Sequence, residues 1–204
     1  MAKCTQAKYQ VAQMEINSKT GLLDAAKHVA SPNCDQRPPD CEPELIVIHC
    51  ISLPPGQFGG PWIEKFFTNE LPPDEHPYFR EICRQKVSAH LLIRRDGDLV
   101  QFVPFHQRAW HAGESAYCGR AACNDFSIGI ELEGTDGGSF EMTQYQRLCQ
   151  VVMALCKAYP GLTTDKIAGH SDISPGRKLD PGPGFKWKVL DRFLQNPENE
   201  SQTL

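Results

Sequence analysis

The chain has no long apolar run: its longest stretches fall far short of the ~20 residues a membrane helix needs. It has no cluster of Lys and Arg able to follow a phosphate backbone, and its net charge is −4 with His neutral. Neither a membrane nor a nucleic acid is therefore expected as a partner. No C-x-x-C pair repeats, and the nine cysteines are an odd number. A secreted disulfide framework is normally even and occurs in a smaller domain. The opening Met1-Ala2-Lys3-Cys4-Thr5-Gln6 lacks the hydrophobic centre of a signal peptide. These absences point to a cytoplasmic protein. Met14 is an alternative candidate start, because residues 1–13 read as a polar extension.

What is present suits one soluble domain. The 204 residues are 40% hydrophobic and 23% charged, enough to bury one full core. We divide the chain into a polar N-terminal extension (1–19), one domain (20–194) and a polar, disordered tail (195–204). Residues 20–29 read as a short helix or turn. Leu45-Ile46-Val47-Ile48-His49-Cys50 is apolar on both alternating faces, the pattern of a strand buried on both sides. Pro61 suits the first turn of a helix over 61–67, and 76–83 forms a second short helix. Runs at 88–94 and 98–103 flank Asp96-Gly97, a hairpin turn signal. A loop follows at 104–125.

The next strand, 126–133, is informative because its two faces differ. Phe126, Ile128, Ile130 and Leu132 share one face; Ser127, Gly129, Glu131 and Glu133 share the other. Small Ser127 and Gly129 leave room above the sheet, into which Glu131 projects. The clearest helix spans 143–159. Thr143 and Gln146 fit a capping box, and Tyr145, Leu148, Cys149, Val152, Leu155, Cys156 and Tyr159 form one apolar stripe. A short strand at 166–170 and a closing helix at 185–194 complete the pattern. The expected architecture is a single α/β domain with a central mixed sheet flanked by helices. Cys118 and Cys123 have no partner pair, which speaks against a structural zinc there.

The chemistry concentrates in residues 169–183, Gly169-His170-Ser171-Asp172-Ile173-Ser174-Pro175-Gly176-Arg177-Lys178-Leu179-Asp180-Pro181-Gly182-Pro183, a stretch too rich in Pro and Gly for a helix. If 178–180 is extended, Lys178 and Asp180 point to the same side. His49 ends one buried strand and His170 another, at the sheet end where open α/β folds form clefts. Two His and one Asp make three ligands with a fourth position left for water, the pattern of a catalytic zinc. Asp172 is the rival carboxylate; the proline after Asp180 rigidifies its loop and favours Asp180. Glu131 suits proton transfer and Lys178 suits an oxyanion. His90, inside the hairpin strand, reads as a packed, hydrogen-bonded residue.

With these residues assembled, the chain resembles the AmpD family of cytosolic 1,6-anhydro-N-acetylmuramoyl-L-alanine amidases. That family lies within the wider group containing phage lysozyme-amidases and peptidoglycan recognition proteins. The matching text includes His49-Cys50-Ile51-Ser52-Leu53-Pro54-Pro55-Gly56, Val87-Ser88-Ala89-His90, Arg108-Ala109-Trp110-His111-Ala112-Gly113, Cys123-Asn124-Asp125-Phe126-Ser127-Ile128-Gly129-Ile130-Glu131 and Arg177-Lys178-Leu179-Asp180-Pro181-Gly182-Pro183. It covers roughly residues 31–190. The resemblance implies a zinc enzyme acting on muropeptides in cell-wall recycling, with His49, His170 and Asp180 as ligands and Glu131 and Lys178 catalytic. It also implies an effect on β-lactamase induction and a soluble anhydro-muramyl peptide as substrate; separately from the resemblance, a monomer is expected. Tyr78, Trp110 and His111 are weaker substrate-facing candidates. The family usually carries Asn where Cys50 stands, and often Arg where Lys86 and Ala122 stand. The last two positions are implied in holding peptide carboxylates, so Lys86 joins the substrate-binding set as a point charge rather than a fork. Two other readings stay open: a peptidoglycan-binding module without catalysis, and an envelope amidase acting on intact peptidoglycan.

Overall fold

Two seven-residue strands, one nearly all aliphatic and one alternating Ile or Leu with Ser, Gly and Glu, make the centre of the sheet, and everything else is arranged around them. The computed structural model describes residues 14–196. Residues 1–13 of the polar extension and 197–204 of the tail expected to be disordered lie outside the described residues. In chain order the elements are β1 (Lys27–His28), β2 (Cys34–Asp35), β3 (Leu45–Ile51), α1 (Trp62–Phe67), α2 (Pro77–Ile82), β4 (Leu91–Ile93) and β5 (Leu99–Gln101). Then come β6 (Arg108–Ala109), β7 (Ala116–Tyr117), β8 (Arg120–Ala121), a 3-10 turn (Cys123–Asp125), β9 (Ser127–Glu133), α3 (Met142–Ala158), β10 (Ile167–Gly169), α4 (His170–Ile173) and α5 (Trp187–Gln195). The main sheet has the order β1-β5-β4-β9-β3-β10. Its neighbours run parallel except for β4 and β5, which form the expected hairpin, so the sheet is mixed.

Strand alternation sorts the core into two sides. Ile46 and Ile48 of β3, Leu91 and Ile93 of β4, and Ile128, Ile130 and Leu132 of β9 pack with Leu148, Val151, Val152 and Leu155 of α3 and Leu190 of α5. Each such fully buried aliphatic contributes about 1.5–3 kcal/mol of burial. The opposite side carries α1 and α2 over Leu92 and Val100, and a smaller cluster of Leu45, Val47, Phe126 and Ile173. Both layers are helix on sheet, as an α/β domain requires.

Several local expectations are corrected. Of the helix or turn expected at 20–29, the turn is what forms: Gly21 sits at φ +66, Leu23 is buried, and the chain then enters β1. Met14 is buried in the core and Ile16 bridges to Leu23. Phe126 does not share the Ile128 face; it precedes β9 and packs with Leu45 and Val47. The segment 104–125 holds two small antiparallel pairings, β2 with β6 and β7 with β8. Helix α3 begins earlier than expected, and Thr143 lies inside it. The glutamine that matters is Gln144: its side chain accepts the Glu141 N–H at 3.0 Å and donates to the Ile93 and Glu133 carbonyls at 3.2 and 3.1 Å. One buried amide thus ties the helix start to the ends of two strands. The stretch after β10 does contain one helical turn, α4, because Asp172 Oδ2 accepts the Gly169 N–H at 2.7 Å and caps it.

Candidate active site and metal centre

Parallel pairing of β3 with β9 sets His49 directly beside Glu131. Pairing of β10 with β3 ends at Gly169 opposite Ile48, so His170 follows immediately at the same end of the sheet. The loop beyond α4 folds back, with the Ser171 N–H donating to the Asp180 carbonyl at 2.9 Å. Three segments far apart in sequence therefore meet at the carboxyl ends of parallel strands.

Their polar atoms form a triangle. His49 Nδ1 lies 3.0 Å from His170 Nδ1 and 3.0 Å from Asp180 Oδ2, and His170 Nδ1 lies 3.0 Å from the same Oδ2. Among the described residues these three are the group of His, Cys, Asp or Glu able to share one metal ion. The arrangement also fits a cation on its own terms. His170 Nε2 lies 3.1 Å from the Ala112 carbonyl, which can only accept, so that nitrogen carries the ring proton. With a single ring proton on Nε2, Nδ1 faces a carboxylate as a second acceptor, a contact that a shared cation relieves. Burial, opposed by Asp180, lowers His49 to about 4, so it is neutral at pH 7. Burial pushes Asp180 up, but the adjacent His170 and His49 rings outweigh it and hold the carboxyl well below its usual range. Two imidazoles and one carboxylate lining a cleft are a donor set that one metal ion fits.

The cleft has a volume of about 600 Å³, and Tyr78, Trp110, His111, Glu131 and Lys178 line it with the triangle. Glu131 Oε2 is buried and has no hydrogen-bond partner. Burial first, and the neighbouring Asp180 second, raise its carboxyl well above the normal value, while Lys178 opposes them. Lys178, Tyr78 and Trp110 are half-buried walls. Lys86 is exposed; its neighbours Gln85 and Val87, rather than Lys86, line the cleft. Asp172 is spent on capping α4. Cys50 is half-buried, packs against the α3 side and has its thiol pushed up by burial. Cys118 is exposed and Cys123 buried, both free thiols.

His111 is not simply a wall. Its Nδ1 lies 2.9 Å from His49 Nε2, and its Nε2 lies 3.2 Å from Ser127 Oγ. The ring rests on Gly129, where a Cβ would approach His111 Cγ to 2.4 Å. Behind it His90 is fully buried, accepting the Gly129 N–H at Nδ1 (3.0 Å) and bonding the Gln107 carbonyl through Nε2 (3.1 Å). That is the packed role its strand position suggested. Sequence reasoning missed Arg177, whose guanidinium donates to the Ala112 and Glu114 carbonyls at 2.6 Å and to Ser174 Oγ at 2.7 Å. Its place beside Lys178 was the available signal, but a loop arginine offers no pattern that says which carbonyls it will meet. Arg37 was missed as well. It is half-buried among the Asn124, Asp125, Phe105 and Ser127 carbonyls, and loss of solvent around it lowers it to about 10.

Comparison with known proteins agrees with this geometry. Residues 38–183 match the family model described as N-acetylmuramoyl-L-alanine amidase. The 1,6-anhydro-N-acetylmuramyl-L-alanine amidase AmpD of Enterobacter cloacae is 53% identical over 91% of this chain and 98% of its own length. The protein of the same name from Escherichia coli (strain K12) is 57% identical over 82% of this chain and 91% of its own. A crystal structure of a Se-Met AmpD derivative superposes with a TM-score of 0.84 at 54% identity, covering 86% of this chain and 97% of that one.

Proposed function

The chain belongs to the N-acetylmuramoyl-L-alanine amidase family, and from that membership we propose that it hydrolyses the amide between anhydro-N-acetylmuramic acid and L-alanine, using a zinc ion held by His49, His170 and Asp180. The observation that carries the reading is the triangle of donor atoms 3.0 Å apart at the mouth of a cleft that also holds Glu131 and Lys178. The names of the relatives support the substrate. When bound, zinc supplies Lewis acidity and a water acidic enough to attack near neutral pH.

The chain's own residues do the rest. Glu131 takes a proton from the attacking water and passes it to the departing alanine nitrogen; its buried, proton-retaining carboxyl and the opposing charge of Lys178 suit it to both halves of that transfer. The Lys178 ammonium stabilises the oxygen that turns negative as the carbonyl becomes tetrahedral. Tyr78 and Trp110 form the walls along which sugar and peptide lie, and Lys86, outside the cleft lining, is a longer-range charge for the peptide end. A binding module needs no such combination of ligands, acid–base group and ammonium. In this reading the catalytic domain spans residues 20–194, joined by Met14 and Ile16 of the preceding segment, which pack into its core. It works as a monomer in the cytoplasm on muropeptides returned from the wall, and their removal quiets β-lactamase induction.

Mass spectrometry of products from a defined anhydro-muramyl tripeptide tests the reading. Release of the free tripeptide, lost with a chelator and restored by zinc, is expected. No release in any zinc condition leaves a binding module, and preferential action on polymeric sacculi makes it an envelope enzyme.

A further inference from the structure

Outside the three ligand atoms lies a chain of hydrogen bonds whose direction the chemistry fixes at one end. Ser127 Oγ is 2.5 Å from the Cys123 carbonyl. A carbonyl only accepts, so the single hydroxyl proton is committed to it. Ser127 Oγ therefore meets His111 Nε2, at 3.2 Å, as an acceptor, and that nitrogen carries the imidazole proton. Among the described residues no carboxylate bonds to the His111 ring, so a second ring proton would leave a cation without a counter-charge, and the ring holds one. Its Nδ1 is then a lone pair, 2.9 Å from His49 Nε2, which must donate. With the proton of His49 held on Nε2, its Nδ1 lone pair is free and faces Asp180 and His170.

We propose that Ser127 and His111 are positioning residues that lock His49 in the tautomer able to bind metal, with the Cys123 carbonyl as the anchor of the chain. The proposal replaces the substrate-facing role expected of His111, and it rests on the reading of His49 as a metal ligand. Two features show that the relay is built in. Asn124 Oδ1 accepts the backbone N–H groups of His111 and Ala112, at 3.1 and 2.8 Å, and holds the loop over the sheet. Gly129, having no Cβ, lets the ring lie on β9. The small residues on the polar face of β9 thus have two different purposes: Gly129 makes the space, and Ser127 orients the ring that fills it. Groups outside a metal's immediate ligands that orient a histidine are typically worth 10–100-fold in metal affinity.

The test measures zinc affinity of the full chain by competition with a chromogenic chelator, separately from turnover. His111→Phe fills the space without an acceptor and is expected to weaken zinc binding 10–100-fold. His111→Asn keeps an acceptor near the Nδ1 position and is expected to recover most of the loss, which a purely space-filling role would not produce. Gly129→Ala alters no polar side chain and should weaken binding through displacement of the ring alone. Nitrogen-15 imidazole spectra of the metal-free wild type need no variant and should place the His49 proton on Nε2. Unchanged zinc affinity in His111→Phe with only KM raised, or a His49 proton on Nδ1, overturns the relay. A wild-type chain that takes up no zinc would instead remove the metal reading, while the imidazole spectra still decide the relay.

Discussion

The two faces of β9 are made from alternate residues of one seven-residue strand, yet they do opposite work. On one side Ile128, Ile130 and Leu132 are sealed under α3 in an apolar layer. On the other Ser127, Gly129, Glu131 and Glu133 are almost as deeply placed but polar, and each has a distinct task. Ser127 meets His111, Gly129 seats its ring, and Glu131 reaches the cleft. Glu133 is buried, pairs with Arg94 at 3.2 Å, and accepts the Gly59 N–H at 2.7 Å. Burying apolar surface stabilises wherever it happens, so the first face tolerates a swap that preserves volume. A buried polar group is costly unless its partners are in place, so the second face is specified atom by atom.

A crossed pair of substitutions probes that division most strongly. Glu131→Ala should cut turnover on the order of 10²–10⁴-fold with zinc still bound and stability retained. Ile130→Ala, one residue away, should cost about 2–5 kcal/mol of unfolding free energy while zinc affinity holds. Steady-state kinetics and denaturant unfolding on both variants check it; matching losses in both assays would erase the distinction between the faces. Glu133 marks where the division breaks. It lies on the polar face but serves structure, and Glu133→Ala should cost about 3 kcal/mol because Arg94 loses a nearly buried partner. Urea midpoints measure it, and a loss confined to activity would return Glu133 to the chemical side.

The most gradual effect is a pH slope. Burial, aided by Arg37, lowers His90 to about 3 in the folded chain, against about 6.5 when unfolded. Between those values the unfolded chain binds a proton that the folded one refuses. Stability from this group is therefore complete above the unfolded value and lost as pH falls toward the folded one, by up to about 1.4 kcal/mol per pH unit. Urea midpoints of the metal-free protein from pH 7 to pH 4 should show this slope, shallower in His90→Asn. Equal slopes would show that His90 does not contribute to acid lability.

What could be read from the residues was mostly what periodicity and punctuation encode. The buried strand ending at His49, the Asp96-Gly97 hairpin, the alternation after Phe126 and the stripe of α3 all depend on spacing within a few residues. So did the choice of Asp180 as the carboxylate beside the two histidines, which its rigid loop favoured and the triangle now displays. The rest depends on contacts between distant segments. Space above Ser127 and Gly129 was legible, but the ring that occupies it comes from a loop sixteen residues earlier. The start of α3 was misplaced because Gln144 is recruited by two strand carbonyls, a demand invisible in the helix itself. Arg37 and Arg177 were overlooked for the same reason: each bonds mainly to backbone carbonyls, which any sequence supplies.

The side-by-side placement of His49 and Glu131 on adjoining parallel strands has one more consequence. Sliding β9 by a single position would invert its alternation, sending Glu131 into the oily layer and offering an isoleucine to the cleft. Misaligned chains would be catalytically silent rather than sluggish. During refolding, the first appearance of turnover therefore dates the moment at which β3 and β9 come into true alignment.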